Sequence, residues 1–149
     1  MIYAKSEDVI RAKPEEVYRL LKDITMWPEI FPPCQKAKVL SFENNIEMIE
    51  LTALTKGKLF SWTSKRVHND KEMNISFQQT VPTPPLVYMK GTWHVEPEGE
   101  NTKVILIHEF RLKWNFCEKL LGMIARKFFV DSNSEREIKG LKEFCERSH

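Results

Sequence analysis

Between residues 35 and 113 apolar and polar side chains alternate with period two, in runs cut by turn-forming residues. Strict alternation marks strands with one face buried and one in water. It predicts strands at 35–43, 46–54, 57–69, 72–81, 86–97 and 102–113. The breaks are Glu43-Asn44-Asn45, Lys56-Gly57, Asn69-Asp70-Lys71, Pro82-Thr83-Pro84-Pro85 and Glu98-Gly99-Glu100-Asn101. Links this short cannot carry a parallel crossover, which needs a dozen residues or more, so consecutive strands pair antiparallel in a meander.

The flanks obey other periods. Residues 2–12 alternate loosely and read as one more strand. Lys13-Pro14-Glu15-Glu16 then opens a helix, with proline in its first turn and two acids at its positive end. Val17, Leu20, Leu21 and Ile24 carry that helix to about residue 23, and Trp27-Pro28-Glu29-Ile30-Phe31 adds a short helical turn. From 116 to 147 helical spacing returns, with Leu121, Ile124, Phe128, Ile138, Leu141 and Cys145 on one stripe and a kink expected near 131–134. Strand, two helices, six strands and a long helix make an α+β chain. Its expected form is a seven-stranded antiparallel sheet curled around the C-terminal helix, with a cavity between them.

At 149 residues the chain is expected to be a single domain spanning 1–149. No apolar run approaches the ~18 residues of a membrane span. The first residues, Met1-Ile2-Tyr3-Ala4-Lys5, lack the layout of a signal peptide, which points to the cytoplasm. Cys34, Cys117 and Cys145 form no metal spacing, and His68, His94, His108 and His149 are scattered singly, so no protein-bound metal is expected. A net charge of +2 is too mild to imply nucleic acid.

One strand is unlike the others. In Phe60-Ser61-Trp62-Thr63-Ser64-Lys65-Arg66 the residues Phe60, Trp62, Ser64 and Arg66 share a face. Two aromatics, a hydroxyl and a guanidinium are not what a plain core asks for, because buried unpaired charge is costly. That face either meets water or lines a cavity with polar contents.

Four segments together resemble one family: Trp27-Pro28-Glu29-Ile30-Phe31-Pro32, Trp62 to Arg66, Met89-Lys90-Gly91-Thr92-Trp93, and Thr102-Lys103-Val104 leading to His108-Glu109-Phe110, followed by Asn133 and Leu141 to Glu146. The chain looks like a single-domain polyketide aromatase/cyclase of the START-like, helix-grip superfamily. The resemblance implies regiospecific aldol cyclisation and dehydration of a poly-β-ketone in type II aromatic polyketide biosynthesis, with no cofactor. An acyl carrier protein would present the substrate on its phosphopantetheine arm. The same fold also carries lipids, quinones and other apolar ligands without catalysis, and that alternative stays open.

The resemblance singles out Arg66 to hold a carbonyl or enolate oxygen and His108 to move protons; Ser64, two residues before Arg66 on the same strand face, is a candidate to bond a second oxygen. Arg66 as a structural cation paired with a carboxylate, Ser64 as a backbone partner and His108 as a core histidine are the competing readings. Trp27, Trp62 and Trp93 are candidate cavity walls or core tryptophans. Phe77, Gln79 and Met89 continue the lining, and Gly91 leaves room where a side chain would block it. Asp131 and Asn133 lie near the inner stripe of the helix, Asp131 as a possible partner of His108. His68, at a strand end, is expected at the rim or in solvent. Lys119, Arg126 and Lys127 offer a cationic face to an acidic carrier protein or simply to water. Oligomeric state is not set by any of these features.

Overall fold

The computed structural model describes residues 2–31, 33–55, 57–82, 86–112 and 132–147. Strand β1 (Ile2–Ile10) is followed by helix α1 (Pro14–Lys22), a 3-10 turn (Ile24–Met26) and helix α2 (Trp27–Ile30). Six strands follow: β2 (Cys34–Glu43), β3 (Ile46–Thr55), β4 (Lys58–Asn69), β5 (Asn74–Gln79), β6 (Leu86–Glu98) and β7 (Asn101–Leu112). Helix α3 (Ser132–Arg147) closes the described chain. The sheet is antiparallel with order β1-β7-β6-β5-β4-β3-β2, so the meander is continued by β1 returning beside β7. This is the α+β grip that the alternation and its flanks predict.

The turns carry their own chemistry. Asn44 and Asn45, with φ of 52° and 64°, join β2 to β3 in a two-residue hairpin whose geometry needs positive φ at both positions. Strand β5 is shorter than the predicted 72–81 because Met73 also takes positive φ, which breaks the extended backbone before Asn74. The predicted helix over 116–147 is described only from Ser132; its earlier part, with Cys117, Lys119, Arg126, Lys127 and Asp131, lies outside the described residues.

The core sits between the sheet and the helices. Val17, Leu20 and Leu21 of α1 and Ile138, Leu141 and Cys145 of α3 meet Ile75, Trp93, Val95, Val104 and Leu106 from the concave face. Helix α3 runs alongside β1, fastened by the Arg11 amide donating to Glu146 Oε2 at 3.0 Å and Lys142 Nζ donating to Asp8 Oδ1 at 3.4 Å. Among the described residues no helix is long and apolar enough to cross a membrane.

Candidate functional site

Cross-strand pairing turns the sequence parity into a row. Glu47 of β3 stands opposite Arg66 of β4, Arg66 opposite Phe77 of β5, Phe77 opposite Gly91 of β6, Gly91 opposite His108 of β7, and His108 opposite Ala4 of β1. All project to the concave face, because strand residues on one cross-strand row share a side. The next row along the strands holds Ile49, Ser64 and Gln79, and beyond it Leu51 faces Trp62. The sheet therefore brings together Arg66, Ser64, His108, Trp62, Phe77, Gln79, Met89 and Gly91, as their spacing predicts.

Arg66 is only 1% exposed and its fork is committed. Nε donates to Glu47 Oε1 at 2.8 Å, Nη1 to the Leu21 carbonyl at 3.0 Å, and Nη2 to the Lys22 carbonyl at 2.9 Å. Leu21 and Lys22 end α1, where helical carbonyls lack partners and a cation is favoured. The guanidinium also lies 5.2 Å from the Trp27 ring centre. Burial pulls the Arg66 pKa down, but arginine starts so high, and Glu47 supports the charge so directly, that the cation persists. Burial alone would raise the Glu47 carboxyl; the hydrogen bond with His68 and the Arg66 charge outweigh it and hold it below its ordinary value.

This is the geometry of the structural cation, and it departs from a fork aimed at a substrate oxygen. His68 departs from expectation as well. It is buried, with Nε2 3.2 Å from both Glu47 Oε1 and Arg66 Nη2, because the partner it needs lies on β3 rather than in solvent. Glu47 was accessible to the same parity argument: it shares its strand face with Ile49, Leu51 and Ala53, where a lone carboxylate demands a buried cation.

The tryptophans divide. Trp27 donates its Nε1 hydrogen to the Leu20 carbonyl at 3.2 Å and packs edge-on against Phe31. Trp93 is 2% exposed with the Phe31 ring 6.0 Å away. Both are core residues, not open walls. Trp62 keeps part of its surface accessible, as do Phe77, Gln79 and Met89. Gly91 leaves room, but the room is filled: a Cβ there would stand 2.2 Å from Phe77 Cζ. The Phe77 ring thus lies across the glycine and meets the His108 imidazole edge-on at 5.5 Å.

His108 is buried on this face, and loss of hydration pushes its pKa down to about 4. At neutral pH it is an uncharged imidazole, able to accept a proton at one nitrogen. Ser64 is buried on the adjacent row. Gln79 Oε1, opposite Ser64, is buried without a hydrogen-bond partner among the described residues, an acceptor left waiting for a donor. Asn133 falls within α3, but its side chain is not among those described; Asp131 lies outside the described residues.

Glu137 of α3 escaped the sequence reading. It is half-buried, and lost hydration raises its carboxyl pKa to about 7. The signal was its place in the stripe, four residues before Leu141 and seven before Phe144. Among the described residues no group of three or more metal-binding side chains converges.

Residues 10–135 match the family described as polyketide cyclase/dehydrase and lipid transport. The chain belongs to this family. Among curated relatives, the granaticin polyketide synthase bifunctional cyclase/dehydratase of Streptomyces violaceoruber is 31% identical over 142 residues, covering 94% of this chain and 43% of the relative. Among solved structures, the di-domain ARO/CYC BexL from the BE-7585A biosynthetic pathway is 35% identical, with a TM-score of 0.82 over 96% of this chain and 46% of that one. The Zhui aromatase/cyclase from Streptomyces sp. R1128 superimposes with a TM-score of 0.87 at 21% identity, covering 97% of this chain and 93% of its own. This member of the polyketide cyclase/dehydrase family spans less than half the length of the first two relatives. The fold and the family expected from the sequence are both met.

Proposed function

We propose that the protein is an aromatase/cyclase. It directs aldol cyclisation and dehydration of a poly-β-ketone that an acyl carrier protein presents on its phosphopantetheine arm. The observation that carries this reading is the uncharged His108 imidazole on the concave face, beside a half-open wall of Trp62, Phe77, Gln79 and Met89. A carrier of apolar ligands needs the wall but not the base.

In this reading His108 accepts a proton from a methylene flanked by two carbonyls. The resulting enolate carbon forms a bond to a distant carbonyl carbon, and the alkoxide formed there takes a proton. A second proton loss from the neighbouring carbon then makes a double bond as the hydroxyl departs as water. Ser64 and Gln79 fix the chain through its oxygens: the hydroxyl can donate to a carbonyl, and Gln79 Oε1 can accept from an enol O–H. Trp62 and Met89 supply apolar contact along the chain. Arg66 acts through position, holding the end of α1 and Trp27 against the sheet so that the inner wall keeps its shape.

The test is a product profile with a minimal type II polyketide synthase. Adding the protein is expected to replace spontaneously cyclised shunt products with one aromatic product, and His108→Gln is expected to lower its yield at least tenfold. An unchanged profile across synthases of different chain length would sink the cyclase reading and leave ligand carriage.

A further inference from the structure

The sheet has two edges, and they are finished differently. Helix α3 runs alongside β1, fastened by Glu146 to Arg11 and by Lys142 to Asp8. Beyond β2 there is no further strand among the described residues. From Gln35 to Glu43 every residue but Ala37 is exposed, with Val39, Leu40 and Phe42 at 40%, 47% and 54%. An edge of this kind offers unpaired N–H and C=O groups to any strand that fits them.

Register fixes which groups those are. In the two-residue hairpin Glu43 and Ile46 form the closing hydrogen-bonded pair, and at the far end the Leu54 amide donates to the Pro33 carbonyl at 2.8 Å. Every second residue of β3 from Ile46 thus turns its backbone to β2, engaging Glu43, Ser41, Lys38 and Lys36. Phe42, Val39 and Ala37 are left with N–H and C=O pointing out of the sheet.

A bulge decides the faces. Val39 pairs with Ile49 and Ser41 with Met48, so Leu40 is the extra residue. Before it Lys36 and Lys38 lie on the outer face and Ala37 and Val39 on the concave one; after it Ser41 and Glu43 are outer and Phe42 concave. In an unbroken strand Lys36 and Glu43 would stand on opposite faces. With the bulge they share one. An antiparallel second copy of β2 can then set Lys36 opposite Glu43, Ala37 opposite Phe42 and Lys38 opposite Ser41. Each match occurs twice about a twofold axis, as an isologous interface requires. Ala37 and Phe42 both point outward and can exchange two hydrogen bonds. Lys36 and Glu43 flank them as a non-hydrogen-bonded pair, where side chains lie closest. Sliding the copies by two residues would offer Lys38 to Glu43 but drop Lys36 and Ala37 from the overlap. Lysines and bulges also serve to keep an edge solitary. Here the lysines meet a carboxylate and a hydroxyl, and the apolar residues between them stand uncovered.

We propose that the β2 edge is a homodimer interface, in which two copies of this chain pair antiparallel through Lys36 to Glu43. The result is one continuous sheet with both concave faces on the same side. The pairing does not depend on the cyclase reading. A single strand pair lies at the small end of interfaces, so a dissociation constant on the order of 100 μM is expected.

Sedimentation equilibrium of the intact chain, from about 10 μM to about 1 mM, tests this. Lys36→Glu and Glu43→Lys each set like charges opposite one another and are expected to weaken association about tenfold; the two together should restore it to within about threefold of wild type. Amide exchange followed by NMR is expected to slow at Ala37 and Phe42 as the protein is concentrated, and to stay unchanged at Lys38 and Glu43, which already bond to β3. A wild type that remains monomeric at the highest concentration overturns the proposal. So does a dimer that survives both single reversals, or a double variant that associates no better than either.

Discussion

At the level of Ile75, Trp93 and Leu106 the concave face is finished: these side chains are 0%, 2% and 0% exposed against α1 and α3. Further along β5 and β6, Gln79 and Met89 keep part of their surface accessible, as does Trp62 on β4, and Gln79 holds an acceptor with no partner among the described residues. Between the two regions lies the Glu47, Arg66, Phe77, Gly91 and His108 row. Strand parity is identical on either side of it, so the difference is one of partners. Among the described residues the helices complete the apolar face at one end, while at the other buried Ile49, Ser64 and Phe110 stand beside the partly accessible Trp62, Gln79 and Met89. On the cyclase reading proposed above, the packed end sets stability and the open end sets selectivity, and each half of that statement can be broken.

The largest effect is expected at the boundary. Arg66→Ala strands the buried Glu47 carboxylate and the last carbonyls of α1, and should cost about 3–5 kcal/mol in urea unfolding. Replacing the pair together, Glu47→Leu with Arg66→Met, should recover part of that loss. A neutral Arg66→Ala result would mean that the clamp is not what holds α1 down.

Truncation on either side sharpens the contrast. Trp93→Ala at the packed end should cost about 3–5 kcal/mol, while Trp62→Ala at the open end should cost about half as much and shift ligand affinity instead. Equal losses would erase the distinction between the two ends.

Proton linkage gives the next effect. His108 is about 4 in the fold against 6.5 in the unfolded chain, so its contribution is full above 6.5 and is lost as pH falls toward 4. Glu137 is about 7 in the fold against 4.5 unfolded, so its contribution is full below 4.5 and is lost as pH rises toward 7. Each slope amounts to about 3 kcal/mol at most, and in the wild type they oppose each other. Relative to wild type, His108→Gln should therefore become less stable as pH rises from 4.5 to 7, and Glu137→Gln more stable, by urea unfolding at the two pH values. Parallel curves would show that neither group is held neutral.

The smallest effect is at Gly91. A methyl there meets the Phe77 ring and lies 2.7 Å from the Ile107 carbonyl, so Gly91→Ala should cost about 1–3 kcal/mol. Adding Phe77→Ala should relieve only the ring clash, and full rescue would show that the backbone contact is immaterial.

The fold was legible because alternation and helical spacing are local properties of the chain. The inward set on β4 was legible for the same reason. What Arg66 does was not, since its partners Glu47, Leu21 and Lys22 lie 19, 45 and 44 residues away and only register brings them together. His68 looked like a rim residue because a strand end usually meets solvent, whereas here Glu47 of β3 and the Phe42 ring of β2 lie against it. Gly91 showed its space but not its occupant. Glu137 was readable as a carboxylate in an apolar stripe, yet its burial depends on how α3 lies against the sheet.

The near-neutral interior has a further consequence. Between about pH 4 and 7 the imidazole carries no proton in excess and the Glu137 carboxyl keeps its own, while Arg66 and Glu47 cancel each other at 2.8 Å. Such an interior projects little long-range field, and mobile ions have little to screen. On the cyclase reading proposed above, admission would be governed by fit and by single hydrogen bonds at short range, and ionic strength should leave occupancy of the concave face almost untouched.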